Sequence, residues 1–357
     1  MMEIIEIDGS YGEGGGQLLR YSVALAALLG KKVRVYNVRA KRSNPGLRAQ
    51  HLTAVKVIAG LIGAKVNGLF IGSSEILVEP AGKPKSGSYE VDIGTAGSVS
   101  LLLQAILPVL IAAKGELTLR VKGGTNVKWA PPIQYMQNVL FPLLENFGVK
   151  VELKVHRLGY YPQGGGLVEV KATPSYPLTP VSLESRGEFL TIEGISYSSN
   201  LPSHVAERQA KAAIEYLKQK GYGEYLREIT IDIDTPAVGI GSGIVLWAKF
   251  DHGLVGGDSL GEKNKKAETV GREAAEKLVA ALKSKALVDS HALDNIIIYM
   301  SLAKGRSSVI ASGITSHAET ALWLCNLLTG SKYAFERLNT AVKVVVDGIG
   351  FRPYSLT

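Results

Sequence analysis

Two short segments carry residues whose types and spacing could do chemistry. The first, GSYGEGGGQLLRYS over residues 9–22, sets Gly12, Gly14, Gly15 and Gly16 around one carboxylate, Glu13, between the apolar run IIEID and what reads as the start of a helix. Glycines there let backbone N–H groups approach an anion at a helix N-terminus, whose dipole favours negative charge. A Walker A loop is excluded, because Gly16 is followed by Gln17 and Leu18 rather than by Lys and Ser or Thr. A dinucleotide fingerprint is excluded as well: it needs a third glycine where Gln17 stands and an acidic residue about twenty positions on, within a stretch that has no carboxylate. Glu13 is then either a solvated turn residue or an oxygen ligand for Mg²⁺ bridging to nucleotide phosphates.

The second segment is ASGITSHAETALWL. Ser316 and Glu319 have the spacing of a capping box, which predicts His317 in the first turn of a helix. Free N–H groups there suit a phosphate, and the dipole disfavours imidazolium, keeping the ring neutral and nucleophilic near pH 7. By residue type alone, His317 is either structural or a nucleophile. His156, His204 and His252 are too scattered for a metal site, and Cys325, the only cysteine, reads as a buried structural thiol in ALWLCNLL.

Charge points toward a polyanion. The net charge is +8, and from Gly14 to Ser74 no Asp or Glu occurs while Arg20, Lys31, Lys32, Arg34, Arg39, Lys41, Arg42, Arg48, Lys56 and Lys65 all fall inside. This run is either a solvated basic face or a phosphate-binding surface behind the glycine loop. One cysteine permits no intramolecular disulfide and fits a reducing compartment. The N-terminal MMEIIEIDGS lacks signal-peptide order, and the longest apolar run, SVSLLLQAILPVLIAA, is interrupted by Gln104 and Pro108. A soluble cytoplasmic protein with no membrane segment is expected.

The elements that must position these residues follow from punctuation. Apolar helical patterns stop at a glycine and resume as strands in SVALAALLGKKVRVYNV, VIAGLIGAKVNG, PLLENFGVKVELKV and LWLCNLLTGSKYAF. Helices expected at about 17–29, 47–62, 97–113, 131–146, 287–303 and 317–329 form three pairs, with strands such as ELTLRVKG, LVEVKATP and TAVKVVVDGI between and after them. That is a threefold α/β repeat with slight residue identity between copies. Further strands and helices at 203–220 and 265–284 predict a small inserted domain at 185–286, leaving a large domain of 1–184 and 287–357.

GEGGGQLLR, RAKRSNPGLRAQHLTAVK, GTAGSVSLLLQ, GGTNVKWAPP, YYPQGGG and HVAER, spread over nearly the whole chain, together resemble the RNA 3′-terminal phosphate cyclase family. The resemblance implies an α/β fold: a large domain of three βαβαββ units with a smaller α/β domain inserted ahead of the third. It implies an enzyme that uses ATP and Mg²⁺ or Mn²⁺ to adenylylate a histidine, passes the AMP to an RNA 3′-phosphate, and lets the adjacent O2′ displace it as a 2′,3′-cyclic phosphate is formed.

By the same resemblance His317 is the adenylylated residue, Glu13 the metal ligand, and Arg20, Arg39, Arg42 and Gln50 face phosphates. Gln104 contacts the nucleotide, its alternative being an amide satisfied within a buried helix, as does the stretch His291, Ala292, Leu293, Asp294 and Asn295; Pro131 either packs against the base or, in a Pro-Pro pair, only starts a helix. His291 stands where the family has a phenol, and Asn295 where it has a glutamine. His51 either helps hold the RNA end or supports the loop. Trp129, Trp247 and Trp323 read as packing residues rather than base platforms. Two rival functions remain: a cyclase-like ribosome-assembly factor without nucleotidyl transfer, against which His317 argues, and an enolpyruvyl transferase, which has no use for the Glu13 loop.

Overall fold

Gly30, Gly63, Gly148 and Gly330 adopt the left-handed conformation after their helices, with φ of 66, 67, 80 and 79°. Each returns the chain to a strand that begins two residues later, at Lys32, Lys65, Lys150 and Lys332. The stop is sterically cheap for glycine and costly for any residue with a Cβ. In the computed structural model, which describes residues 3–353, this punctuation generates one unit three times.

The first unit has strand order Ile4–Asp8, Lys32–Tyr36, Ile76–Glu79, Lys65–Asn67, with one parallel and two antiparallel pairings. The second repeats it as Gly87–Asp92, Leu117–Gly123, Gly166–Thr173, Lys150–Arg157. In the third, Ser182–Leu183 pairs in parallel with Arg306–Ala311, followed by Val342–Asp347 and Lys332–Arg337. The extra α/β segment therefore enters after the third unit's first strand, not ahead of the unit. The expected α/β fold of three βαβαββ units with an insertion is otherwise what the chain adopts.

The first helices of the units, Gly16–Leu29, Val99–Leu110 and Ser290–Leu302, are buried on nearly every side, which is why their sequences are apolar all round. The long apolar run is thus a core helix, and among the described residues no helix is long and apolar enough to cross a membrane. The helix over 133–145 contains a wide π turn at Met136–Leu140, where Phe141 N–H bonds to Met136 O. Pro142 follows and has no N–H to continue an α-helical ladder, which accounts for the local widening.

The inserted segment forms a fourth sheet, ordered Leu226–Asp232, Phe189–Ser199, Gly241–Phe250, Gly253–Leu260, covered by helices His204–Gln219 and Ala267–Lys283. It has its own core, including Ile192, Leu217, Ile244, Leu246 and Leu278. Where the two helices cross, a Cβ on Gly271 would overlap the Gln209 carbonyl oxygen. Gly271→Ala should lower stability by about 1–3 kcal/mol through overpacking, read as a fall in the denaturation midpoint with an unchanged m-value; an unchanged midpoint would show that the helices can separate freely.

Candidate active site

Helix Gly16–Leu29 begins at Gly15 with no side-chain cap, so its first N–H groups face the glycine loop. The Glu13 side chain lies over this end and is only 5 % exposed. One carboxylate oxygen, Oε2, pairs with Arg42, while Oε1 has no hydrogen-bond partner and lies 3.4 Å from His317 Nδ1. A Cβ on Gly15 would overlap both oxygens, so glycine is what leaves room for the carboxylate. Burial opposes the charge on Glu13, but His317 and Arg42 together outweigh it and hold its pKa below the usual range.

His317 sits in the first turn of helix Ser316–Thr329, as expected, but the Ser316–Glu319 capping box does not form. The cap is Thr315, one residue earlier, in extended conformation; its Oγ1 accepts from Ala318 N at 3.0 Å and donates to Asp294 Oδ1 at 2.5 Å. Glu319 instead faces Arg337 at 3.3 Å. Contrary to the dipole argument, the His317 pKa is raised, because the close approach and charge of Glu13 exceed the effects of burial. Nδ1 lies 2.9 Å from Gln17 Oε1. Gln17 Nε2 and the Tyr21 hydroxyl both donate to the Asp294 carbonyl, at 3.2 and 3.1 Å. Burial pushes the Asp294 carboxyl up to about 6, against the Thr315 bond that favours its charge.

Arg20 is 6 % exposed, its Nε is buried without a partner, and burial pulls its pKa down to about 10. Such a cation calls for an anion. Next to it, a Cβ on Gly16 would overlap His51 Nε2 and come within 2.9 Å of Arg20 Nη1. His51 Nδ1 accepts from Arg48 N at 3.3 Å, which places the ring proton on Nε2. Burial, then Arg20, Arg39 and Arg48, push its pKa down to about 2, so His51 is a neutral donor beside the open helix end.

The basic run divides. Arg20, Arg39, Arg42 and Arg48 gather round the glycine loop, whereas Arg34 bonds Glu6 and Glu75, and Lys32 bonds Glu79. Arg39 donates through Nη1 to the Asn44 and Gly46 carbonyls at 2.7 and 2.9 Å, so part of its guanidinium shapes its own loop. Gln50 Oε1 accepts from Ser98 N at 3.1 Å, at the start of helix Val99–Leu110.

Residues 11–335 match the family model described as RNA 3′-terminal phosphate cyclase. The chain belongs to that family. It is 47 % identical over 348 residues to the RNA 3′-terminal phosphate cyclase of Pyrobaculum aerophilum, covering 97 % of this chain and 99 % of that one. The protein of the same name from Ignicoccus hospitalis is 50 % identical over 323 residues, with 89 % and 90 % covered, and that of Hyperthermus butylicus 47 % over 363, with 99 % and 100 % covered.

Other cyclase-family positions lie around this centre or apart from it. Asp289 caps helix Ser290–Leu302, accepting from His291 N and Ala292 N at 3.0 Å and from Gly256 N of the insert at 2.9 Å. His291 borders a cavity of about 570 Å³ shared with Tyr135, Asp258, Lys277 and Ser312. Asn295 Nδ2 is turned back on the His291 carbonyl at 2.7 Å. Ala292 and Leu293 are fully buried, with their side chains in the core. Gln104 meets Met136 Sδ at 3.9 Å, and Pro131 precedes Pro132, which starts its helix. Trp247 is buried and Trp323 stacks on Tyr11, but Trp129 packs on little and is 94 % exposed.

The structure thus joins Glu13, Arg20, Arg42 and His317, with Asp294 beneath, and adds Gln17, Tyr21 and Thr315, which sequence reasoning missed. A signal existed: Gln17 and Tyr21 are polar groups at i and i+4, on one face of a mostly apolar helix.

Proposed function

We propose that this protein uses ATP to convert an RNA 3′-terminal phosphate into a 2′,3′-cyclic phosphate through a His317–AMP intermediate. The observation that carries the reading is the meeting of His317 with a buried Glu13 and a buried Arg20, whose Nε has no hydrogen-bond partner, at one open helix end.

His317 attacks the α-phosphorus of ATP: an N–P bond forms and pyrophosphate leaves with the electron pair of the broken P–O bond. A 3′-phosphate oxygen of the RNA then displaces the ring, which recovers its lone pair, giving RNA-3′-phosphate-AMP. The O2′ attacks the 3′-phosphorus, AMP leaves, and the O2′ proton passes to solvent. Aligned intramolecular attack gains effective molarities on the order of 10⁵ M or more, so the first two transfers carry most of the catalytic demand.

The residues present fit a divalent cation. Glu13 Oε1 is buried and without a bond while Oε2 stays with Arg42, so one oxygen is available to a metal. Among the described residues no group of three His, Cys, Asp or Glu could cage an ion alone. This suits Mg²⁺ or Mn²⁺ held by one carboxylate, phosphate oxygens and water, where the ion would neutralise charge on the ATP phosphates. To Arg20 and the His51 N–H we assign phosphate oxygens, and to Arg39, Arg48 and Gln50 the RNA end. The cavity beside His291 is the volume we assign to the adenosine.

An oligoribonucleotide ending in a 3′-phosphate should become phosphatase-resistant and yield AMP when incubated with ATP and Mg²⁺. A 2′-deoxy terminus should be adenylylated yet fail to cyclise; no ATP-dependent change in the ribo-oligonucleotide would sink the reading. Arg42 tests which phosphate the basic face serves. Its pairing with Glu13 puts it on the ATP side, so Arg42→Ala should slow self-adenylylation by about ten- to a hundredfold, the worth of one charged hydrogen bond. The salt dependence of RNA binding should barely move. Flattening of that slope by about one unit with adenylylation intact would assign Arg42 to RNA instead.

A further inference from the structure

We propose that Gln17 is a positioning residue that fixes the tautomer and orientation of His317, holding the proton on Nδ1 and leaving the Nε2 lone pair to react; this rests on the nucleophilic role proposed above. Three observations converge. The Gln17 side chain is buried, with the residue 8 % exposed. Its Nε2 donates to the Asp294 carbonyl at 3.2 Å, which fixes which end of the amide is which. The other end, Oε1, can only accept, and it lies 2.9 Å from His317 Nδ1. An acceptor at that distance requires N–H on Nδ1, so in the neutral ring the lone pair is on Nε2.

The anchor beneath Gln17 is itself braced. Tyr21, one turn further along the same helix, donates to the same Asp294 carbonyl at 3.1 Å, and the Asp294 carboxyl takes the hydroxyl of Thr315, the cap of the helix that carries His317. Helix Gly16–Leu29, the start of helix Ser290–Leu302 and the start of helix Ser316–Thr329 are thereby locked at one point. A shift of any of them moves the imidazole.

Glu13 also faces Nδ1, but at 3.4 Å and with its other oxygen held by Arg42. Gln17 is the nearer acceptor, and the one that stays in place when Glu13 turns to another partner. Because the attacking nitrogen carries no proton, formation of the Nε2–P bond and departure of pyrophosphate need no base; the proton stays on Nδ1, hydrogen-bonded to Gln17 Oε1, and the same ring is ready to be released at the second transfer.

The test joins a spectroscopic reading to a rate. With ¹⁵N-labelled histidine, at a pH where the ring is neutral, His317 of the wild-type protein should show a protonated Nδ1 and a pyridine-like Nε2. Gln17→Met, close in shape and without an acceptor, should give a mixture of tautomers and slow self-adenylylation at least tenfold, with ATP affinity within about twofold. Gln17→Glu, which keeps an acceptor, should restore the Nδ1–H signal. A wild-type ring protonated on Nε2 would overturn the proposal even if no variant folds, as would a Gln17→Met protein that keeps both the signal and the rate. If the wild type shows the Nδ1–H ring but never takes up AMP, the cyclase reading fails while the Gln17 contact stands.

Discussion

His317→Asn should abolish retention of AMP and lower ATP-driven cyclisation by about 10⁴-fold or more, the order of loss seen when a covalent nucleophile is removed. The substituted side chain sits at a half-exposed position in a first helical turn, and Thr315 still caps that turn, so the fold should survive, as an unchanged thermal transition would show. The informative control is RNA already carrying AMP on its 3′-phosphate. The last step needs only alignment, so His317→Asn should cyclise that substrate to within about tenfold of the wild-type rate. Equal loss on both substrates would mean that His317 serves alignment rather than nucleotidyl transfer.

Glu13→Gln is the second large effect. Removing the one carboxylate at the open helix end should slow self-adenylylation by about a hundredfold or more, since metal neutralisation of phosphate charge is worth several kcal/mol. Its pH dependence has a definite sign. Glu13 raises the pKa of His317, so the nucleophilic, neutral form accumulates only as pH rises through that raised value. The neutral amide removes the cause, so the adenylylation limb should move to lower pH while its ceiling falls. Raising the metal concentration should recover little of the rate. A variant with wild-type rate at limiting metal, or with its limb unmoved, would return Glu13 to a turn residue.

Much of the architecture could be read from residue order because the signals were local. Glycine stops and apolar periodicity located the helices, and three similar pairs disclosed the repeat. That the third unit opens before the insert was not legible, because its first strand, Ser182–Leu183, is two residues long and is defined only by its partner Arg306–Ala311, more than 120 positions later. The cap of the last helix was misassigned by one residue because Thr315 and Ser316 are both capping types, and only the contact of Thr315 with Asp294 distinguishes them. Glu13 and His317 were legible as residue types at helix starts, but their proximity, which reverses the expected pKa direction of His317, arises from tertiary packing. Gln17 was read only as the residue that spoils two phosphate motifs; its partner lies 300 positions away. Ala292 and Leu293 sit inside a motif, and nothing in their order separates the core-facing members from the others.

Everything proposed for the reaction depends on His317 carrying AMP. Incubation of the purified protein with α-³²P-labelled ATP and Mg²⁺, without RNA, followed by proteolysis and mass spectrometry of the labelled peptide, tests it most directly. An acid-labile, base-stable adduct of one AMP per chain should form on His317, absent from His317→Asn and discharged by an RNA 3′-phosphate. Label on another residue, or no label under conditions in which the RNA is cyclised, would contradict it.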